Sequence, residues 1–344
     1  MGNENSFCPI CSSEKDVSFS IEYMNYEFAT NEVAQDIFSD LKIHVCKRCG
    51  FGWALPSIDK TRLDKFYSDV YRDTHSAYHV RNTVSNYSDF SLEPRPISQI
   101  LLAKSFKEFK ENDTLLDIGC GRGISFWIAR KLLPKMRLFA VEPDQFSHPT
   151  LKSLGVQLYP IYFDRYSGPV FGSQRFDFIL MSHLLEHYNG DEIIPVLQYI
   201  QTLLTDDGIF LCEVPNSDLI TRRNMRYNDA PHLSFFNETS LRTALEKSGL
   251  NLRFMGCCSQ KHSEWWEEYI KSTRNGGKQE PADGRLNRIS RITSNLFPES
   301  PPKEYLKKLY GKLFSTQNVF KFLSSDDFQY GSEGTCIRVI AGKL

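Results

Sequence analysis

The sequence predicts an α/β protein: a Rossmann-like open sheet with helices on both faces, preceded by a small metal-binding module. Three observations predict this fold. Two C-x-x-C pairs occur within the first 50 residues, a buried strand at residues 114–118 runs into a glycine-rich turn, and a second strand at residues 138–141 ends in a carboxylate. Strands that alternate with helical segments are typical of parallel sheets.

Length and composition limit the possible classes of protein. The chain has 344 residues, 41% of them hydrophobic and 24% charged, which is ordinary for a globular protein. The polar start and the lack of an apolar run of about 20 residues predict a cytoplasmic protein without a membrane partner. The net charge of -1 offers no general attraction to nucleic acid, so a nucleic-acid partner is not expected. An oligomer is compatible with this composition.

The two cysteine pairs predict a zinc site. Cys8 and Cys11 form one C-x-x-C unit, and Cys46 and Cys49 form the other. Four thiolates fill a tetrahedral zinc ion and leave no open position, so we expect a structural role. A catalytic zinc with three cysteines and a water, or a redox dithiol, is the alternative.

The domain organisation follows from this module. We expect a zinc-binding module at residues 1–60, a linker or a segment that covers the cofactor or substrate at residues 61–95, and the main α/β domain at residues 96–344. Residues 58–71 show the apolar spacing of an amphipathic helix, which we expect to bridge the modules.

The glycine-rich turn predicts a nucleotide-like ligand. Residues 119–123 read Gly-Cys-Gly-Arg-Gly, and a helix is predicted at residues 124–133. Ligand atoms can approach the backbone closely at such a turn. The residues expected to contact a cofactor here are Gly119, Cys120, Gly121 and Gly123.

Two carboxylates beside the turn select the class of cofactor. Asp117 ends the first strand, and Glu142 ends the second, where it can bind ribose hydroxyls. An NAD site would have a third glycine where Ile124 stands, and Asp117 would repel a pyrophosphate. S-adenosylmethionine carries a cationic amino group, so it fits Asp117 better.

These residues resemble the class I methyltransferase superfamily. LLDIGCGRG is similar to its first motif, AVEPD to its second, and FDFILM followed by residues 182–188 to its fourth strand and the "HVLEH" stretch. The resemblance covers residues 97–261. It implies a seven-stranded methyltransferase sheet and an S-adenosylmethionine-dependent enzyme.

Within this superfamily, the sequence resembles one bacterial subgroup more closely. Residues 231–236, PHLSFF, look like a segment of methyltransferases that carry an amino-terminal four-cysteine module and act in polysaccharide or surface-glycan biosynthesis. The methyltransferases of this subgroup are also similar to the sugar C-methyltransferases with an amino-terminal zinc-binding domain. The resemblance implies a small-molecule or sugar-type acceptor, while the methylated atom stays open.

Further site residues follow from the expected sheet, because open parallel sheets bind ligands at the carboxyl ends of their strands. The additional residues expected around the cofactor are Met181, Ser182, His183 and Asp164, the last of which would reach the adenine amine. His187 is ranked first and His232 second as the general base. Glu186 and Glu213 could orient a histidine or bind sugar hydroxyls.

The carboxy-terminal part completes the prediction. Residues 250–258 and 334–342 are expected to pair as an antiparallel hairpin at one edge of the sheet. Residues 262–332 between them are predicted to be a helical insertion, which caps the acceptor pocket, forms an oligomer surface or merely decorates the fold.

Two other functions remain open at this point. An NAD-dependent sugar-modifying enzyme would share the first half of the fold. A zinc-ribbon RNA-binding methyltransferase would show salt-dependent affinity for RNA.

Overall fold

A computed structural model describes residues 7–14, 18–23, 32–71, 94–220, 231–258 and 334–343. The predicted insertion at residues 262–332 lies outside the described residues, as does much of the segment predicted at residues 61–95. The strands are β1 Ser18–Glu22, β2 Lys42–Cys46, β3 Gly52–Leu55, β4 Thr114–Ile118, β5 Arg137–Val141, β6 Gln157–Tyr159, β7 Phe176–Ser182, β8 Leu204–Pro215, β9 Ser234–Phe235, β10 Leu250–Cys258 and β11 Cys336–Lys343. The α-helices are α1 Glu32–Phe38, α2 Lys60–Lys65, α3 Pro94–Phe106, α4 Ile124–Leu132, α5 His148–Ser153, α6 Gly168–Phe171, α7 Ile193–Leu203 and α8 Glu238–Lys247.

The larger sheet has seven strands in the order β10-β11-β8-β7-β4-β5-β6. The five strands from β8 to β6 in this order run parallel to one another. β11 is antiparallel to both β8 and β10. The prediction of a seven-stranded sheet that ends in an antiparallel hairpin is therefore confirmed.

Alternate residues of the central strands face opposite layers of helices, because successive side chains of a strand point to opposite faces. Leu115 of β4 packs in a core with residues of α3 and α4. Leu116 and Ile118 of β4 pack in a second core with residues of α7 and α8. Helices thus cover both faces of the sheet, as the alternation of strands and helices predicted.

The amino-terminal part forms its own four-stranded antiparallel sheet in the order β1-β2-β3-β9. Its last strand comes from much later in the chain, where Phe235 pairs with Gly52 and Ser234 with Trp53. A third apolar core lies on this sheet and includes Ile43, Val45 and Phe235. The sequence did not predict that the amino-terminal sheet takes a strand from residues 234–235.

Polar and close apolar contacts join the amino-terminal sheet to the larger one. The Asn189 side chain bonds to both backbone groups of Ile58, accepting from its N–H and donating to its carbonyl, each at 2.9 Å. A Cβ atom on Gly190 would lie 2.8 Å from Cβ of Trp53, so only glycine permits this approach. The amino-terminal sheet consequently packs against the segment that follows β7.

None of the helices in the described ranges has the length and apolar character needed to cross a membrane.

Candidate active site

A cleft of about 380 Å³ opens at the carboxyl ends of the parallel strands. It lies beside β4, where the strand order reverses and where open sheets usually bind ligands. The predicted cofactor residues that line it are Asp117, Gly119, Cys120, Gly121, Glu142, Ser182 and His183. His187, ranked first as the base, lines the other end of the same cleft.

The glycine turn has a backbone that side chains would disrupt. Gly119, Gly121 and Gly123 have φ angles of 73°, 54° and 79°, in the left-handed region that glycine adopts readily. A Cβ atom on Gly119 would lie 2.9 Å from the Leu184 side chain, and one on Gly123 would lie 2.7 Å from Leu151. Three glycines therefore let the chain turn from β4 into α4 while its backbone faces the cleft.

Two buried carboxylates stand beside this turn. Asp117 is 3% exposed and accepts a hydrogen bond from the Ser125 hydroxyl, while Glu142 is 5% exposed. Glu142 accepts bonds from the backbone N–H of Gly121 at 2.6 Å and of Asp144 at 3.0 Å. Burial raises the pKa of Asp117 to about 7, despite the Ser125 bond, and the negative charge of Glu142 adds to this. The pair favours cations and hydroxyl donors and opposes a pyrophosphate.

Three residues predicted at the cofactor lie elsewhere. Gly123 caps the amino end of α4 behind the cleft lining, and Met181 is fully buried in the core because it points to the opposite side of β7 from Leu180 and Ser182. Asp164 forms an ion pair with Lys60 and accepts hydrogen bonds within its own turn. The cleft lining does not include Asp164, so the predicted contact with adenine lacks support from its position.

A buried charge network supports the floor of the cleft. Glu213 of β8 is 0% exposed and accepts bonds from Arg338 Nε at 2.6 Å and Gln99 Nε2 at 2.9 Å. Burial alone would raise its pKa, but Arg338, the bond from His183 and the nearby Arg95 hold it well below its usual range. Sequence reasoning missed Gln99, Arg95 and Arg338, because nothing in their local sequence signals a common partner.

His183 connects this network to the cleft. Its backbone has a φ of 53°, and its N–H donates to the carbonyl of Glu213 at 2.8 Å. Its imidazole lies 3.2 Å from Glu213 and 3.3 Å from Glu186 through its two nitrogens. Burial would lower its pKa, but a hydrogen bond with Cys336 and hydrogen bonds that the ring nitrogens donate to these two carboxylates raise it well above the usual value. His183 therefore lies between two carboxylates that favour its protonated form.

The far end of the cleft is aromatic. Tyr67, Tyr71 and Tyr162 line it with His187, and the Tyr67 hydroxyl lies 3.0 Å from His187 Nδ1. Burial lowers the pKa of His187 to about 4, so its imidazole is neutral at neutral pH. The His232 ring, centred 5.1 Å from that of His187, stands behind it and outside the lining. Sequence reasoning did not predict these tyrosines as site residues, although it placed Tyr67 and Tyr71 on the bridging helix.

The four amino-terminal cysteines come together in one cluster. Their sulfur atoms all lie within 4.8 Å of one another, with Cys8 and Cys49 at 3.7 Å and Cys11 and Cys46 at 3.6 Å. Two thiolates at about 2.3 Å from a tetrahedral zinc ion would be about 3.8 Å apart. The geometry therefore fits a four-cysteine zinc site and is too wide for disulfides.

Comparisons with known proteins agree with this topology. Residues 93–253 match the model of a family described as a methyltransferase domain. Among curated proteins, none matches the chain. A glycine turn between β4 and α4, on a sheet with this strand order, defines a methyltransferase fold. Residues 93–253 therefore form a methyltransferase domain, and the chain is an enzyme.

Several solved methyltransferase structures are similar to the chain at a low level. An S-adenosylmethionine-dependent methyltransferase from Archaeoglobus fulgidus is 16% identical with a TM-score of 0.41, covering 72% of this chain and 94% of its own. One from Clostridium acetobutylicum is 16% identical with a TM-score of 0.38, covering 52% and 87%. Coclaurine N-methyltransferase bound to N-methylheliamine and S-adenosylhomocysteine is 16% identical with a TM-score of 0.43, covering 82% and 85%. Similarity at this level says nothing about the acceptor.

Proposed function

We propose that this enzyme transfers a methyl group to a small-molecule or sugar-type acceptor. One end of the cleft would bind the cofactor, and the other would bind the acceptor. The cofactor end comprises the glycine turn with Asp117, Glu142, Ser182 and His183. The acceptor end comprises His187 and the three tyrosines, Tyr67, Tyr71 and Tyr162. The observation that carries the proposal is the pair of buried carboxylates at the ends of adjacent parallel strands, beside a turn of left-handed glycines.

S-adenosylmethionine supplies a methyl group on a cationic sulfur. The bond from sulfur to the methyl carbon breaks as the bond from the acceptor atom forms, the sulfur becomes neutral, and a protonated acceptor loses its proton. Positioning the reacting atoms in line supplies much of the acceleration in such a displacement. The chain therefore needs a rigid, largely dry cleft more than many catalytic groups.

Each cofactor-end residue has a role that suits its surroundings. Asp117, whose buried carboxylate has few local hydrogen bonds, would hold the cationic amino group. Glu142 would accept from ribose hydroxyls, and the Gly119–Gly121 backbone would lie against the ligand. Ser182 and His183 would border the methionine part. Gly123, Met181 and Asp164 would act indirectly, through the shape of the turn and the core.

The acceptor end is suited to a polar ring. Tyrosines present a planar apolar body with a polar tip, which matches small aromatic or sugar-like acceptors. His187, beside the Tyr67 hydroxyl, is the first candidate to receive the acceptor's proton, and His232 is the second. The resemblance to glycan-modifying methyltransferases supports a sugar-type acceptor and a place in polysaccharide biosynthesis.

The four-cysteine cluster is proposed to hold a structural zinc ion. The sulfur separations and the burial of Cys8, Cys46 and Cys49 support this role, since four ligands leave no position for a substrate. The amino-terminal sheet that the cluster anchors also precedes the helical segment that carries Tyr67. The zinc ion would thereby help to hold the acceptor end in place.

Calorimetric titration tests the choice of cofactor. The purified protein is titrated with S-adenosylmethionine, S-adenosylhomocysteine and NAD in turn. We expect saturable binding of both adenosyl ligands and none of NAD. Binding of NAD alone, or of none of the three, would contradict the proposed site.

An acceptor screen follows with the same protein. It measures the release of S-adenosylhomocysteine with pools of nucleotide-linked sugars, small phenols and small amines. Turnover with sugars supports the proposed acceptor class, whereas turnover confined to RNA or to a protein would exclude it.

A further inference from the structure

A second group of metal-binding side chains lies apart from the cysteine cluster, at the acceptor end of the cleft. Glu186, His187 and His232 each offer one ligand atom, and these atoms lie within 4.8 Å of one another. Glu186 and His187 are buried, and His187 lines the cleft. The group is thus enclosed by the protein on one side and adjoins the ligand space on the other.

The backbone holds these side chains together independently of any ligand. The N–H of Leu233 donates to the carbonyl of Glu186 at 2.8 Å, which places His232 against the turn of Leu185–His187. The Tyr23 hydroxyl donates to the carbonyl of His232 at 2.9 Å. Two segments that are distant in sequence are therefore fixed in register, as preorganised metal sites require.

The carboxylate of Glu186 lacks the partners that its burial demands. Glu186 is 2% exposed, and its Oε2 has no hydrogen-bond partner among the described residues. Oε1 has an ion-pair contact with His183 Nδ1 at 3.3 Å, whereas no ion pair involves Oε2 in the described part of the chain. A buried oxygen in this state is costly and indicates a water molecule or an ion.

Glu213, a second buried carboxylate nearby, differs from Glu186 in its partners. Glu213 also belongs to a possible metal-binding group, with His183 and Cys336. Its Oε2 already accepts hydrogen bonds from Arg338 and Gln99, and two guanidinium groups neutralise its charge. Both oxygens of Glu213 therefore have charged partners, whereas Oε2 of Glu186 has none among the described residues.

We propose that Glu186, His187 and His232 bind a divalent transition-metal ion. Two imidazoles and one carboxylate are the ligand set of catalytic zinc and of non-haem iron sites, which keep positions open for a substrate. Its location at the acceptor end rests on the proposed function, whereas the site itself rests on the three side chains. A bound cation, and not His187 as a base, would then activate an acceptor hydroxyl.

Manganese is the probe of choice, because Mn²⁺ prefers oxygen and nitrogen ligands and binds thiolates poorly. The full chain is treated with EDTA, its tightly held zinc is counted by mass spectrometry, and Mn²⁺ is then titrated while electron paramagnetic resonance follows the free ion. We expect one Mn²⁺ per chain. Glu186→Gln and His232→Ala should each weaken Mn²⁺ binding at least about tenfold without lowering the zinc count.

Asp191→Asn is the matched control, because it removes the same charge from an exposed carboxylate in the next turn and should leave Mn²⁺ affinity unchanged. The affinity of each variant for S-adenosylhomocysteine shows that the cleft is still folded. No Mn²⁺ binding to the wild-type chain, or binding that survives both substitutions, would overturn the metal site. Failure of the proposed function would show separately, as loss of adenosyl-ligand binding in the wild-type chain.

Discussion

The two ends of the cleft are built in different ways. The proposed cofactor end comes from one continuous stretch, residues 117–183, and consists of a turn and the ends of neighbouring strands. The proposed acceptor end combines Tyr67 and Tyr71, from the segment that follows the first three strands of the amino-terminal sheet, with Tyr162 and His187 from the main domain. The cofactor end is formed by neighbouring parts of one sheet, so a change of acceptor leaves it intact. The acceptor end depends on distant segments, which can vary without changing the cofactor end.

The strongest test of this comparison removes Cys46, one of the four proposed zinc ligands. Cys46→Ser should lower the zinc content and reduce stability by roughly 3 kcal/mol, because three ligands hold the ion less well. That loss corresponds to a fall in Tm of about 6–12 °C for a domain of this size. Turnover should fall more than affinity for S-adenosylhomocysteine, since the acceptor end depends on the amino-terminal sheet.

Metal analysis, thermal unfolding and calorimetry measure these effects. Cys120→Ser, at the cofactor end, is the control and should keep the zinc ion. Unchanged zinc content and Tm in Cys46→Ser would show that the cluster has no structural role.

A substitution at the cofactor end should lower cofactor affinity without lowering the zinc content. Gly121→Arg places a long side chain in the cleft and should weaken S-adenosylhomocysteine binding at least about 100-fold, or about 2.8 kcal/mol. Zinc content should stay unchanged. Gly172→Arg is the matched control: Gly172 also has a left-handed φ, of 55°, but open space around it. Equal loss of affinity in both variants would assign the effect to backbone strain alone.

Removal of a single oxygen atom tests the acceptor end. Tyr67→Phe removes the hydroxyl that bonds to His187 Nδ1, leaving a buried nitrogen without this partner. We expect turnover to fall about tenfold, consistent with roughly 1–2 kcal/mol for such a loss. Affinity for S-adenosylhomocysteine should not change. Tyr166→Phe, at an exposed tyrosine, is the control and should change neither turnover nor affinity for S-adenosylhomocysteine. If Tyr67→Phe lowered the affinity for S-adenosylhomocysteine as much as it lowered turnover, the two ends of the cleft would not act separately.

The smallest expected effect is a pH dependence at the cofactor end. Burial raises the pKa of Asp117 to about 7, so below this pH a cationic ligand must first displace a proton from the carboxyl. Affinity for S-adenosylhomocysteine should therefore fall as pH decreases below 7, by at most about tenfold per pH unit, and level off above it. Calorimetry in buffers of different ionisation enthalpy should detect proton release near pH 6. Asp117→Asn should bind more weakly and lose this pH dependence, and a wild-type profile that is flat from pH 6 to 8 would remove Asp117 from contact with the ligand.

Particular residues show why some of the site could be predicted. The glycine turn, Asp117 and Glu142 are close in sequence to the strands that carry them, so strand periodicity was enough to place them at one edge of the sheet. Met181 lies in the core and not in the cleft lining, because alternation along β7 turns its side chain away from the cleft. Asp164 stays a prediction, and its ion pair with Lys60, over 100 residues earlier, could not be read from local sequence.

The sequence by itself determined the seven-stranded sheet, the edge hairpin, the glycine turn and the class of enzyme, because these depend on local periodicity and on spacing within short segments. The gathering of the four cysteines also follows from their pairing in two C-x-x-C units. Only the tertiary structure decided which distant side chains meet: Arg338 with Glu213, Tyr67 with His187, and Glu186 with His232. Such contacts carry no local signal, since long-range packing and not neighbouring sequence brings those atoms within bonding distance.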